Sequence, residues 1–133
     1  MRDYQRRKNN KYYLPKEVYH QTLWFIRDYP RMAERLNEIL LEGSSGDGIP
    51  GGNRTGDATL NKVLKRDELF RKTRAIEDAI ERIPEEYRKG VWESLLYSKA
   101  FPLDADRSTY ARYKSRAIYD VAIGMKFIRK EEI

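Results

Sequence analysis

The sequence predicts an all-α protein, and three observations carry that expectation. Apolar residues recur at intervals of three and four along most of the chain, no stretch shows the every-second-residue alternation of a half-buried strand, and prolines stand where helices begin. The expected architecture is a kinked N-terminal helix or a helix pair, a glycine-rich linker and a C-terminal helical bundle. In segments, this gives a basic flexible arm over 1–13, a helical segment over 14–42, the linker over 43–58 and a helical domain over 59–133.

The bulk numbers fit one small helical body. The 133 residues are 40% hydrophobic and 36% charged, enough for one modest core and too few for two large ones. The formal net charge of +6 attracts a polyanion, with an affinity that falls steeply as salt rises. The absence of cysteine excludes disulfides, thiolate nucleophiles and cysteine-based zinc sites. No apolar run approaches the ~20 residues needed to span a bilayer, and the basic N-terminus is not followed by the apolar stretch of a secretory signal. A cytoplasmic protein without membrane contact is the expectation.

Along the chain, Arg2, Arg6, Arg7, Lys8 and Lys11, interleaved with Tyr4, Tyr12 and Tyr13, lack a helical stripe and read as a mobile basic arm. Such an arm can lie along phosphates, enter a minor groove or serve only solubility. Leu14-Pro15 opens a helix in which Val18, Tyr19, Thr22, Leu23, Ile26, Met32, Leu36, Ile39 and Leu40 keep the stripe. Pro30 interrupts it, since a mid-helix proline removes a hydrogen bond and clashes with the preceding turn. A kink or a junction of two helices is therefore expected near Arg27 to Tyr29.

The stretch from Gly43 to Gly56 holds six of the eight glycines and reads as linker or long loop. It lacks the Gly-Lys-Ser/Thr and the preceding strand of a phosphate-cradling loop. A third helix then starts near Asp57 or Thr59. Its early stripe of Leu60, Val63, Leu64 and Phe70 is expected to continue through Leu69, Thr73, Ile76, Ile80 and Ile83. Pro84-Glu85-Glu86 begins a fourth helix, with acids where the helix dipole favours them, burying Tyr87, Val91, Trp92 and Leu95.

The last helix carries the chemistry. Asp106 stands at its start, where a carboxylate can accept the first turn's unpaired amides, and the helix runs toward Met125 or Phe127. At about 100° per residue, Tyr110, Tyr113, Ala117 and Val121 share one face, with Ile118 and Met125 at its margin. Ser108, Arg112, Ser115 and Tyr119 share the opposite face, flanked by Arg107, Thr109 and Arg116. These residues, with Lys114 adding charge, are the candidate contacts to duplex DNA. Arg can pair bidentately with guanine in a major groove, and the hydroxyls can bond bases or phosphates. A solvated basic helix face would carry the same residues, so the rest of the chain must weigh in.

It does so through a resemblance. Ile83-Pro84-Glu85-Glu86-Tyr87-Arg88-Lys89-Gly90-Val91-Trp92, followed by Asp106-Arg107-Ser108-Thr109-Tyr110-Ala111-Arg112-Tyr113-Lys114, resembles the RinA/ArpU-type phage transcriptional regulators. Tyr13-Leu14-Pro15-Lys16-Glu17-Val18-Tyr19 and Thr55-Gly56-Asp57-Ala58-Thr59 are similar to blocks of the same group, so the likeness runs from about Tyr13 to Ile128. It implies a phage or prophage protein in a bacterial host that activates late genes. It also implies a C-terminal helix-turn-helix similar to sigma-factor region 4, binding double-stranded DNA without a cofactor. The connector Lys99 to Ala105, containing Pro102, is too short for the full support helix of that pattern.

Other chemistry has weaker support. Asp104 and Asp106, with Glu85 or Glu86, could hold Mg²⁺ for phosphodiester hydrolysis, but an N-cap and a turn residue account for the two aspartates and no general base stands out. His20 reads as a structural histidine, and Tyr19, Trp24, Phe25, Tyr87, Trp92 and Tyr97 read as core aromatics at helical spacing. No catalytic or metal-binding residue is expected. The alternative to a DNA reader is a helical adaptor docking on RNA polymerase or a packaging component, and the N-terminal helix could equally support a homodimer.

Overall fold

The computed structural model describes Gln5 and residues 10–45 and 56–132. Residues 1–4 and 6–9 of the arm, and 46–55 of the linker, lie outside the described residues. The protein is all-α: α1 (Lys16–Arg27), α2 (Tyr29–Ser45), α3 (Gly56–Glu81), α4 (Glu85–Tyr97), α5 (Arg107–Gly124) and a terminal 3₁₀ turn (Lys130–Glu132). The described residues contain no strand.

Prolines set the helix starts. Pro15 and Pro84 are the N-cap residues of α1 and α4, and Pro30 is the second residue of α2. At these positions the missing amide costs nothing, because first-turn amides have no partner within the helix. The junction expected near Pro30 is two helices separated by Asp28 alone.

The chain forms two compact units, Met1–Tyr29 with Ala75–Ile133, and Pro30–Arg74. In the first, α1, α4 and α5 pack on one another in all three pairings. Leu23 and Ile26 of α1, Val91 and Leu95 of α4, and Tyr110, Ile118 and Val121 of α5 are all buried. Each fully buried aliphatic side chain contributes about 1.5–3 kcal/mol, so this core dominates the unit's stability. Ile76, Ala79 and Ile83 are buried in the same unit.

Two arginines hold helix ends. Arg27, the last residue of α1, donates from Nε to the Leu95 carbonyl at 3.1 Å and from Nη2 to the Ser98 hydroxyl at 3.0 Å, at the C-terminus of α4. Arg88 of α4 donates to the carbonyls of Ile83 (2.7 Å) and Glu81 (2.8 Å) at the end of α3. In both places a cation meets carbonyls with no partner in the helix, where the dipole also favours positive charge.

In the second unit Met32, Ile39, Leu69 and Thr73 are buried, while Leu40, Leu41, Leu60, Leu64 and Phe70 are exposed. This corrects the single stripe read along α3. Leu60 and Leu69 are nine positions apart, which at about 100° per residue places them on opposite sides of the helix. Leu60, Leu64 and Phe70 thus form an outward stripe, and Leu69, Thr73 and Ile76 form the buried one. Leu40 likewise lies outside the core of its unit.

Two aromatics assigned to the core are also on the surface. Trp24 is 64% exposed and Tyr97 62% exposed, because Thr22, Leu23 and Ile26 on α1 and Ser94 and Leu95 on α4 take the inward positions. The Arg27 guanidinium lies 5.4 Å from the Trp24 ring centroid, so that ring is covered by a cation. Trp92 is half-buried and meets Tyr29 edge-on at 5.0 Å, and His20 meets Tyr19 in the same way at 5.3 Å.

Candidate nucleic-acid interface

α5 begins after Asp106, as its sequence suggests, but the expected side-chain cap is not made. The Asp106 carbonyl accepts from the amides of Thr109 (3.0 Å) and Tyr110 (3.3 Å), and its carboxylate makes no capping bond. Solvent can serve the exposed first-turn amides instead.

An aromatic cluster fixes the rotation of α5. The Tyr110 ring stacks on Phe101 at 5.3 Å and meets Tyr87 edge-on at 5.4 Å, and Tyr87 in turn stacks on Tyr113 at 5.2 Å. Tyr110 is buried as expected, while Tyr113 is half-buried at the rim. The Tyr110 hydroxyl donates to Asp104 Oδ1 at 2.6 Å. This bond to a carboxylate, together with burial, raises the Tyr110 phenol to about 12. Asp104, weighed as a metal ligand, is occupied as an acceptor, and the described residues contain no cluster of three metal-ligating side chains.

With α5 so held, the candidate contacts fall into two groups. Arg107, Ser108 and Arg112 are exposed, and Thr109 and Ser115 are half-buried. The Arg112 guanidinium carbon sits 5.7 Å from the Tyr113 ring centroid. Neither Arg107 nor Arg112 has a carboxylate partner among the described residues.

The other two cations are engaged within the bundle. Lys114, four residues after buried Tyr110, lies on the inward side of α5. Its Nζ donates to the buried Ser94 hydroxyl at 3.0 Å and lies 5.9 Å from the Phe101 ring centroid. Arg116 Nε lies 3.7 Å from Asp120 Oδ2, an oxygen that Arg82 Nη1 also approaches at 3.5 Å. That oxygen is buried and has no hydrogen bond in the usual geometry, so both guanidiniums hold it by charge.

Sequence reasoning placed Tyr119 on the outward face and did not anticipate its partner. Where the N-terminus reads as a mobile arm, Gln5 and Asn10–Tyr13 are tied to the bundle. Tyr12 packs edge-on against Tyr119 with centroids 5.5 Å apart. The Leu14 amide donates to Gln5 Oε1 at 3.0 Å, and Gln5 Nε2 donates back to the Leu14 carbonyl. As a result Asn10, Lys11 and Tyr12 form, with Arg112, an open cleft of ≈ 630 Å³ on the outward side of α5. The interleaved tyrosines of the basic segment were the available signal, since an arm that only solubilises has no use for them.

No protein-family model, curated protein or solved structure matches this chain.

Proposed function

We propose that the chain is a sequence-specific DNA-binding transcriptional regulator that reads duplex DNA with the outward side of α5's N-terminal half. The observation that carries this reading is the exposure of Arg107, Ser108 and Arg112 on a helix whose rotation is fixed from behind, with both arginines lacking carboxylate partners among the described residues. Arg–guanine pairs in a major groove are worth about 1–3 kcal/mol of discrimination, and a net charge of +6 supplies the non-specific attraction. Thr109 and Ser115 add hydroxyls at the margins. Arg116 can exchange Asp120 for a phosphate, whereas Lys114 serves the bundle.

α4 and α5 form the helix pair, joined by residues 98–106 without an intervening helix. α4 therefore takes the supporting role, assisted by α1. The resemblance to the RinA/ArpU-type regulators makes phage or prophage late genes the targets and activation the mode. A homodimer would present two copies of α5 to a repeated site. The test is binding to a selected and to a random duplex: Arg107→Ala should weaken the first by about 1–3 kcal/mol and the second much less.

A second reading has its own observation. Leu40, Leu41, Leu60, Leu64 and Phe70 are exposed in the Pro30–Arg74 unit, more apolar surface than an isolated helical unit needs. It supports an adaptor that docks on RNA polymerase or a packaging component. Leu60→Ser with Leu64→Ser should abolish such docking and leave DNA affinity intact.

A further inference from the structure

We propose that the cleft between Asn10–Tyr12 and Arg112 binds one phosphate of a nucleic-acid backbone, a proposal that rests on the DNA-binding reading of α5 and assigns Arg112 to phosphate instead of to a base. The cleft is lined by Asn10, Lys11, Tyr12 and Arg112, so two cations and no carboxylate face it. Neither Lys11 nor Arg112 has a carboxylate partner among the described residues, in contrast to Arg116 beside Asp120. Two uncompensated cations beside one cavity repel each other, and that repulsion is relieved when an anion enters.

The cleft is also held in shape. Lys11 Nζ lies 5.3 Å from the Tyr12 ring centroid, and Arg112 rests on Tyr113, so each cation is directed by a tyrosine. The Tyr12 amide donates to Asn10 Oδ1 at 3.0 Å and the Tyr13 amide to the Asn10 carbonyl at 3.3 Å, closing a turn. Leu14, fully buried, and the Tyr12–Tyr119 contact fasten the C-terminal side of that turn. Part of the ordering cost of binding is thereby met in the free protein. An ammonium and a planar guanidinium can converge on different oxygens of one tetrahedral phosphate, and ≈ 630 Å³ leaves room for the adjoining sugar. A phosphate held here positions α5 along the backbone, and base reading falls to Arg107, Ser108 and Thr109 in its first turn.

The test uses the full chain with Lys11→Ala, Arg112→Ala and the double variant; both side chains are exposed, and thermal melting should confirm unaltered folding. Fluorescence anisotropy is read on a random and on a selected duplex across a salt series. In a second arm the Arg112 Nε–H and Tyr12 ring signals are followed by NMR as inorganic phosphate is added. Each single variant should lose roughly five- to tenfold in affinity, equally on both duplexes, and lower the salt slope by up to about one. The double variant should lose less than the product of the two, because both groups serve one phosphate. If the wild type binds DNA but the variants bind as tightly, or if Arg112→Ala weakens only the selected duplex, the cleft proposal falls and the α5 reading stands. If no duplex is bound but the NMR signals shift saturably and the shift is lost in Lys11→Ala, the cleft is a site for free phosphate, and the DNA reading falls together with the backbone assignment that rests on it. If no duplex is bound and the signals do not move, both fall.

Discussion

The Tyr110 ring lies directly over the backbone of Gly90: a Cβ built on Gly90 would stand 2.6 Å from Tyr110 Cε1 and 2.7 Å from Pro102 Cδ. α4 and α5 can approach this closely only because residue 90 has no side chain. In an exposed helix Gly→Ala stabilises by up to about 1 kcal/mol, but here the methyl would displace both a ring and a proline. Gly90→Ala should therefore lower stability by about 1–3 kcal/mol, read as a lower urea midpoint at unchanged m value. A stabilised variant would mean that α4 and α5 are farther apart than described.

Alkaline pH should unfold the protein in a predictable window. Burial and donation to Glu77 raise the Tyr29 phenol to about 12, and donation to Asp104 with burial raises Tyr110 to about 12. In the unfolded chain both titrate near 10, so between about 10 and 12 the unfolded state releases protons that the folded state keeps. The stability these phenols contribute is complete below about pH 10 and is lost as pH rises through 12. Urea midpoints should fall across that window, and Tyr29→Phe and Tyr110→Phe should each flatten the fall. Ultraviolet titration should also show a late-ionising component that shrinks in Tyr29→Phe and in Tyr110→Phe.

The end of α5 carries a strained residue. Lys126 has φ of 60°, with its amide bonded to Ile123 O at 3.0 Å and the Phe127 amide to Ala122 O at 2.9 Å, the Schellman arrangement in which glycine is usual at that position. Lys126→Gly should stabilise the protein by about 0.5–1 kcal/mol, and Lys126→Val should destabilise it. Ser98 has φ of 57° as well, but its hydroxyl accepts from Arg27, so Ser98→Gly should give no comparable gain. Thermal melting of the three variants checks the contrast.

Asp120 restrains Arg116, and removing its charge should alter DNA binding. With Asp120→Asn, Arg116 and Arg82 lose their shared anion, at a cost of about 0.5–1 kcal/mol for partly exposed pairs. Affinity for random duplex should rise and its salt dependence should steepen, because Arg116 becomes available to phosphate. An unchanged affinity with a lowered melting point would place Arg116 off the DNA path.

Much of this arrangement was legible in local sequence. Pro15, Pro30, Pro84 and Asp106 marked helix starts to within a residue or two, and the α5 periodicity placed Tyr110, Ala117, Ile118 and Val121 inward and Arg112 outward. Lys114, read from the sequence as a DNA contact, is the exception on that helix: its position four residues after Tyr110 turns it inward to Ser94. Other features were not, because they depend on which faces meet. Leu60, Leu64 and Phe70 are apolar but stand on the exposed side of α3, opposite buried Leu69, Thr73 and Ile76, so one periodic reading merged two stripes. Trp24 and Tyr97 are apolar by type, but the inward positions of their helices were already taken. The Tyr12–Tyr119 contact joins residues far apart in sequence, and no local pattern announces it.

The proposed function requires that α5's outward first turns read DNA sequence. The most direct measurement is selection from a random-sequence duplex pool at two salt concentrations without Mg²⁺, followed by sequencing. The account predicts an enriched motif that survives the higher salt and is lost or changed in Arg107→Ala. Binding that weakens uniformly with salt and enriches no motif would contradict it.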